Sequence, residues 1–218
     1  MPSPSERPLC ERGKAHSRRE HIIEVVKNLI KRGGAREVSI CKVADAAGFS
    51  TSVVYALFRD KAALITQAMG RDLLELARLM CQACAASAEP WQRIKLAGRA
   101  YVQFGMRHPD EYALVFMERR PHAPVAAAAV EHGNAEQDPY AFAHSLYAEL
   151  ARAGLVRGGE SAVHAMTQIF WQALHGMVSL HIVMGEDDNW IPHMEPDGYL
   201  EDLLEVVAAG VRLRFAPR

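Results

Sequence analysis

Residues 39–61, SICKVADAAGFSTSVVYALFRDK, decide the reading of this chain. Ser39 suits an N-cap, because its hydroxyl can accept a free backbone N–H of a first helical turn. Ile40, Val43, Ala44 and Ala47 then recur at helical spacing and form one apolar face. Gly48 follows where the chain must turn, and glycine takes a positive φ without steric cost. Ser50 can cap a second helix, whose inner face is Val53, Val54 and Leu57. Ala44 matters because two steeply crossing helices leave no room for a larger side chain. The outer face of the second helix carries Thr51, Ser52 and Tyr55, small or flat hydrogen-bonding groups suited to base edges and phosphates. Arg59, Asp60 and Lys61 come next, and Asp60 can cap a third helix. The pattern predicts a helix-turn-helix whose second helix enters the DNA major groove. An ordinary helical hairpin is the alternative that these residues alone leave open.

The chain has 218 residues, 50% of them apolar, so a sizeable core is available. No apolar run approaches the roughly 20 residues that span a bilayer. The N-terminal MPSPSERPLCERGKAHSRRE has no apolar stretch of the signal-peptide kind. A cytoplasmic protein with no membrane partner is the expectation. The net charge of −1 hides an asymmetry: residues 1–65 hold 12 Lys/Arg against 7 Asp/Glu, and residues 66–218 hold 13 against 19. A basic N-terminal module on an acidic remainder fits a DNA-binding head on a body that does not touch DNA. Cys10, Cys41, Cys81 and Cys84 do not suggest a disulfide framework, and the CxxC of Cys81 and Cys84 sits inside a helical pattern.

Outward from the central stretch the chain reads as all-α, with about nine helices. Residues 1–17 are rich in Pro, Ser and charge and are expected to be a disordered arm. Arg7, Arg12, Lys14, Arg18 and Arg19 could touch phosphates from there, or only keep the arm soluble. Ile22, Val25, Val26, Leu29 and Ile30 make the stripe of a first helix, 18–32, that ends at Gly33-Gly34. The expected division is an arm over 1–17, a DNA-binding domain over 18–65 and a helical body over 66–218. A long helix, 61 to about 86, is apolar almost all round between Leu73 and Met80 and should be buried by both parts. Pro90 or Trp91 opens the next helix, broken at His108-Pro109, and a short one follows over 110–118. Residues 119–137 are irregular, with a helical turn expected over 126–130. Asp138-Pro139 start a helix that stops at Gly154; further helices run about 160–184 and 196–214.

At this point the residues resemble the tetracycline-repressor (TetR) family of bacterial transcriptional regulators. The resemblance is carried by Val43-Ala44, Ala47-Gly48, Phe49-Ser50 and then Tyr55, Phe58, Lys61 and Leu64, in the spacing Y-x-x-F-x-x-K-x-x-L. Trp171-Gln172-Ala173-Leu174-His175-Gly176 and His108-Pro109-Asp110-Glu111-Tyr112 resemble a subgroup named for a W-H-G signature. The resemblance implies a homodimer that binds double-stranded operator DNA through the N-terminal head. It also implies a small-molecule effector held by the body, and last two helices that pair with their copies in a four-helix interface. The DNA-contacting set is then Ser39, Lys42, Ser50, Thr51, Ser52, Tyr55 and Lys61, with Lys61 reaching a phosphate. Ser52, Ala56 and Leu57 depart from the residues often found at their positions.

Tyr101, Phe104, Tyr112, Phe116, Phe142, Trp171 and His175 are the candidate effector-binding residues, aromatic or polar-tipped and drawn from several body helices. Core packing is the competing role for each. Trp171 and His175 are i, i+4 neighbours that can stack, with Gly176 permitting a close helix approach. Met177, Leu180 and Met184, with Leu203, Leu204, Val207 and Val211, are the candidate dimer surface. No His/Cys/carboxylate set shows metal-ligand spacing, and no cofactor is implied. No nucleophile–base pair or Gly-rich phosphate loop appears, so an enzyme is not expected. The function expected is a DNA-binding regulator, a repressor released from a palindromic operator by a small, largely apolar ligand. A helical adaptor or ligand-binding protein that has lost DNA binding is the alternative, supported by Ala56 and Leu57.

Overall fold

A computed structural model describes residues 7–118, 130–184, 190, 192 and 196–217. Among them nine helices form: α1 (Arg7–Gly33), α2 (Ile40–Ala47), α3 (Thr51–Leu57), α4 (Lys61–Cys84), α5 (Pro90–Arg107), α6 (Pro109–Phe116), α7 (Pro139–Arg152), α8 (Glu160–Met184) and α9 (Pro196–Arg214). No strand occurs among the described residues, so the fold is all-α. The expected turn over 126–130 falls, but for Val130, outside the described residues, as does most of the acidic stretch after α8.

The chain divides into two compact units. One comprises residues 1–71 and 114–129, the other 72–113 and 130–218. The division between these units comes at Arg71/Asp72, inside α4.

In the N-terminal unit α1 is longer than its apolar stripe suggests. Residues 7–17, expected as a disordered arm, continue the helix. Pro8 stands in the first turn, where a missing N–H costs nothing. Once the packed turns around Ile22 and Val26 are nucleated, each added residue gains a bond for one pair of dihedrals. Ile22, Ile23, Val26 and Ile30 are buried, while Val25 and Leu29 are half-buried. Their partners in the core are Val43, Ala44 and Ala47 of α2, Val54 of α3, Phe58, and Leu64 of α4.

In the C-terminal unit α5 packs on α7, α8 and α9, and α7 packs on α8. Each helix has a clear start. Glu89 accepts from the N–H groups of Trp91 and Gln92, and Asp138 from those of Tyr140 and Ala141. Two glycines of α5 set how close its neighbours come. A Cβ on Gly98 would lie 2.6 Å from Leu204 of α9 and 3.1 Å from Phe170 of α8. A Cβ on Gly105 would collide with Val178 and would lie 2.9 Å from Tyr112. Gly176, expected to permit a close approach, has nothing within 4 Å of such a Cβ. Ion pairs of Arg93 with Glu149, Lys95 with Glu205 and Arg99 with Glu201 join α5 to α7 and α9 at the surface.

Candidate functional site

The helix-turn-helix forms from local rules. Ser39 is extended and its hydroxyl accepts the Lys42 N–H at 3.2 Å, opening α2. Gly48 takes φ 69°, and the N–H groups of Gly48 and Phe49 return to the carbonyls of Asp45 and Ala44, closing it. The chain bends 106° between α2 and α3, within the 90–120° of helix-turn-helix pairs. Ala44 is fully buried, as the steep crossing requires. Ser50 holds the N-cap position of α3, but its hydroxyl makes no cap bond; its carbonyl serves Val53 and Val54 instead. Asp60 caps α4, its carboxylate accepting the Ala63 N–H at 2.8 Å.

This arrangement exposes one polar face. Thr51, Ser52 and Lys61 are exposed and Tyr55 is 58% exposed, a high figure for an aromatic ring in a folded unit. Ser50 and Lys42 are exposed and Ser39 half-buried. Lys42 is not a free cation, since its ammonium lies 2.6 Å from Glu37. That hydrogen bond, and the charge behind it, hold the Glu37 carboxyl below its ordinary range. Leu57, one of the departures from the family pattern, is half-buried and so serves packing.

Arg19 has a role that the sequence did not disclose. Its guanidinium sits 4.7 Å above the Phe58 ring and its Nε donates to Gln67 at 2.9 Å. Arg71 pairs with Glu20 at 2.8 Å. Arg19 is thus committed to holding α1 against the end of α3 and the start of α4.

In the C-terminal unit four of the seven candidate effector residues meet. The Trp171 indole N–H donates to the Tyr101 hydroxyl at 3.0 Å. The Tyr101 and Tyr112 hydroxyls lie 2.8 Å apart, and Tyr112 Oη lies 2.6 Å from His175 Nδ1. Trp171 can only donate. Tyr101 therefore accepts from it, while in the Tyr101–Tyr112 and Tyr112–His175 bonds either group can donate, the tautomer of a neutral imidazole deciding the second. Burial favours that neutral form by holding His175 below the ordinary imidazole value. Burial likewise pushes the Tyr101 phenol up to about 12 and raises Tyr112 further. The Trp171 and His175 rings lie 5.9 Å apart but tilted by 36° and not stacked; His175 stacks on Tyr112 instead, ring centres 5.7 Å apart.

The other three candidates do not join this run. Phe104 is buried with its ring 5.2 Å from that of His108. Phe142 is buried on α7. Phe116 belongs to the N-terminal unit, because the division of the chain passes through α6.

On the last two helices the candidate dimer residues divide. Leu204 and Val211 are core, Leu204 lying against Gly98. Met177, Met184, Leu203 and Val207 are half-buried, and Leu180 is 57% exposed. The large apolar residues that α8 and α9 turn outward are Ile169, Leu180 and Val183 on one, Tyr199, Val206 and Leu213 on the other. The same helices also supply the core beneath α5, which is why Leu204 and Val211 are buried within the chain.

A further set escapes sequence spacing. His144 of α7 meets Glu160 and His164 of α8, their ligating atoms all within 4.8 Å of one another. Glu160 and His164 are i, i+4, the one signal that could have suggested it; His144 joins only through helix packing. Cys81 is exposed and Cys84 buried, its Sγ donating to the Arg93 carbonyl at 3.1 Å. Burial pushes that thiol up to about 11, away from the thiolate form. No single helix among the described residues is long and apolar enough to cross a membrane.

Comparison with known proteins matches residues 22–68 to the model of bacterial regulatory proteins, tetR family, and residues 94–206 to that of the tetracyclin repressor-like C-terminal domain. No curated protein sequence matches the chain. Among solved structures the fold is similar to that of a TetR family transcription regulator from Marinobacter aquaeolei VT8. That pair has TM-score 0.68 and 13% identity over 92% of this chain and 98% of that one. A TetR/AcrR family regulator from Thermobifida fusca YX-ER1 gives TM-score 0.58 and 18% identity over 89% and 98% of the two chains. AibR, solved in complex with isovaleryl coenzyme A and operator DNA, gives TM-score 0.62 and 15% identity over 87% and 97%. The chain belongs to the TetR family and is a transcription regulator with a helix-turn-helix DNA-binding domain at its N-terminal end.

Proposed function

We propose that this protein is a homodimeric repressor that leaves a palindromic operator when a small, largely apolar ligand binds its C-terminal unit. The single observation that supports the ligand half of this reading is the run Trp171–Tyr101–Tyr112–His175. It sets a few oriented polar atoms among apolar side chains of α5, α6 and α8, the lining that small-molecule sites use. AibR, bound at once to an acyl coenzyme A and to operator DNA, supports a fold that accommodates both.

On DNA, Thr51, Ser52 and Tyr55 read base edges and phosphates, and Lys61 holds a phosphate. Ser39, Lys42 and Ser50 lie at helix starts beside them. A second copy covers Leu180, Val183, Val206 and Leu213, and two recognition helices then stand about 34–36 Å apart, one turn of duplex. Helix α4 begins at Lys61 and continues into the C-terminal unit, which makes it the element through which ligand and operator compete. A coupling of about 1–3 kcal/mol changes operator affinity roughly 5–150-fold.

Fluorescence anisotropy on duplexes from beside the protein's own gene, with and without members of an apolar ligand library, tests this. A ligand that binds the C-terminal unit and loosens the operator complex supports the reading. A ligand that binds there and leaves operator affinity unchanged overturns the coupling.

A further inference from the structure

We propose that His144, Glu160 and His164 form a binding site for a divalent transition cation of the zinc class. The three come from two packed helices: His144 from the middle of α7, Glu160 and His164 one turn apart at the start of α8. Glu160 Oε1 lies 3.4 Å from His144 Nε2 and 3.2 Å from His164 Nε2. Zinc bonds of about 2.0–2.1 Å at tetrahedral angles put neighbouring ligand atoms roughly 3.3–3.4 Å apart. A charge-assisted hydrogen bond between the same groups would draw them to about 2.7–2.9 Å.

The nitrogen chemistry agrees with the spacing. His144 Nε2 is buried and has no hydrogen-bond partner. His164 has its other ring nitrogen occupied, since Nδ1 lies 2.9 Å from the Tyr140 hydroxyl. A partner on the far nitrogen fixes ring orientation and leaves Nε2 free to ligate, which is how metal-binding histidines are held. The two imidazoles sit with ring centres 4.4 Å apart. A divalent cation satisfies all three groups at once.

Two imidazoles and one carboxylate suit zinc and its neighbours, and three protein ligands leave a position for water. Glu160 is mostly exposed, so the cation has a path in and out. Tyr140 also packs edge-on against Trp171 at 6.3 Å, which places the site next to the hydrogen-bonded run of the C-terminal unit.

The test is a titration of the full-length protein with Zn²⁺ by calorimetry and with Co²⁺ by visible absorption, near neutral pH. The expected result is one equivalent per chain, a tetrahedral Co²⁺ spectrum, and loss of both in His144→Ala and His164→Ala. Glu160→Gln alters an exposed side chain, keeps the far-ultraviolet circular dichroism of the parent, and should also lose the Co²⁺ spectrum. Tyr140→Phe should weaken binding about 10–100-fold, and His181→Ala, further along α8, should leave it unchanged. Absence of stoichiometric binding, or binding that survives in His144→Ala and His164→Ala, overturns the assignment.

Discussion

Tyr112 Oη stands 2.6 Å from Nδ1 of His175, an imidazole that burial holds below its ordinary range. This contact ends a run of hydrogen bonds that starts at the Trp171 indole. It connects α6 to α8 inside the C-terminal unit and has a definite pH dependence.

An imidazole held below its ordinary 6.5 binds fewer protons folded than unfolded. Its contribution to stability is then present above that value and falls away as pH drops through it. Tyr101, pushed up to about 12 from 10, contributes below its ordinary value and loses that contribution as pH rises toward about 12. Thermal midpoints should therefore decline on both sides. His175→Gln should remove part of the acid-side decline; an unchanged acid limb would show that His175 is not responsible for it.

Gly98→Ala and Gly105→Ala should each destabilise the chain. The added methyl groups meet Leu204 and Phe170 in one case, Val178 and Tyr112 in the other. Overpacking of this kind costs about 1–3 kcal/mol, and urea denaturation measures it. Neutral effects would mean that α8 and α9 yield more readily than their packing implies.

Two serines of the helix-turn-helix should behave differently. Ser39→Ala loses a cap bond and about 1 kcal/mol of stability. Ser50 makes no cap bond, so Ser50→Ala should leave stability within about 0.5 kcal/mol. Any loss of operator affinity in Ser50→Ala then reports on DNA contact alone.

The residues that built the turn and the helix starts were legible because their physics is local. Gly48, Asp60 and Asp138 each act within a few residues of their own position, and α8 was expected where it lies. What escaped depends on partners distant in the chain. Arg19 gives no sign in sequence that it covers Phe58, and Gly98 looks like any helical glycine until Leu204 is brought against it. His144 lies 16 and 20 residues from Glu160 and His164 in sequence, and only the packing of α7 on α8 unites them. The hydrogen-bonded run was half legible: Trp171 and His175 share a helical face, but their link through Tyr101 and Tyr112 requires three helices. Leu204 and Val211 were grouped with outward residues because apolar spacing cannot tell a face buried under α5 from one left outward.

That last distinction makes a prediction about assembly. Leu180→Asp with Leu213→Asp changes exposed residues and should convert a dimer to a folded monomer, seen by light scattering after size exclusion. Leu204→Asp places a charge in the core and should unfold the chain instead. A double variant that stays dimeric would remove α8 and α9 as the interface.

The most direct test of the DNA-binding account is a salt titration of the protein on duplex DNA from beside its own gene, with Tyr55→Ala and Lys61→Ala in parallel. The account predicts tight, sequence-selective binding by the parent and clear loss in Tyr55→Ala. In Lys61→Ala the slope of log affinity against log salt should fall by about one. Binding no tighter than to random duplex, and unchanged in both variants, would contradict it.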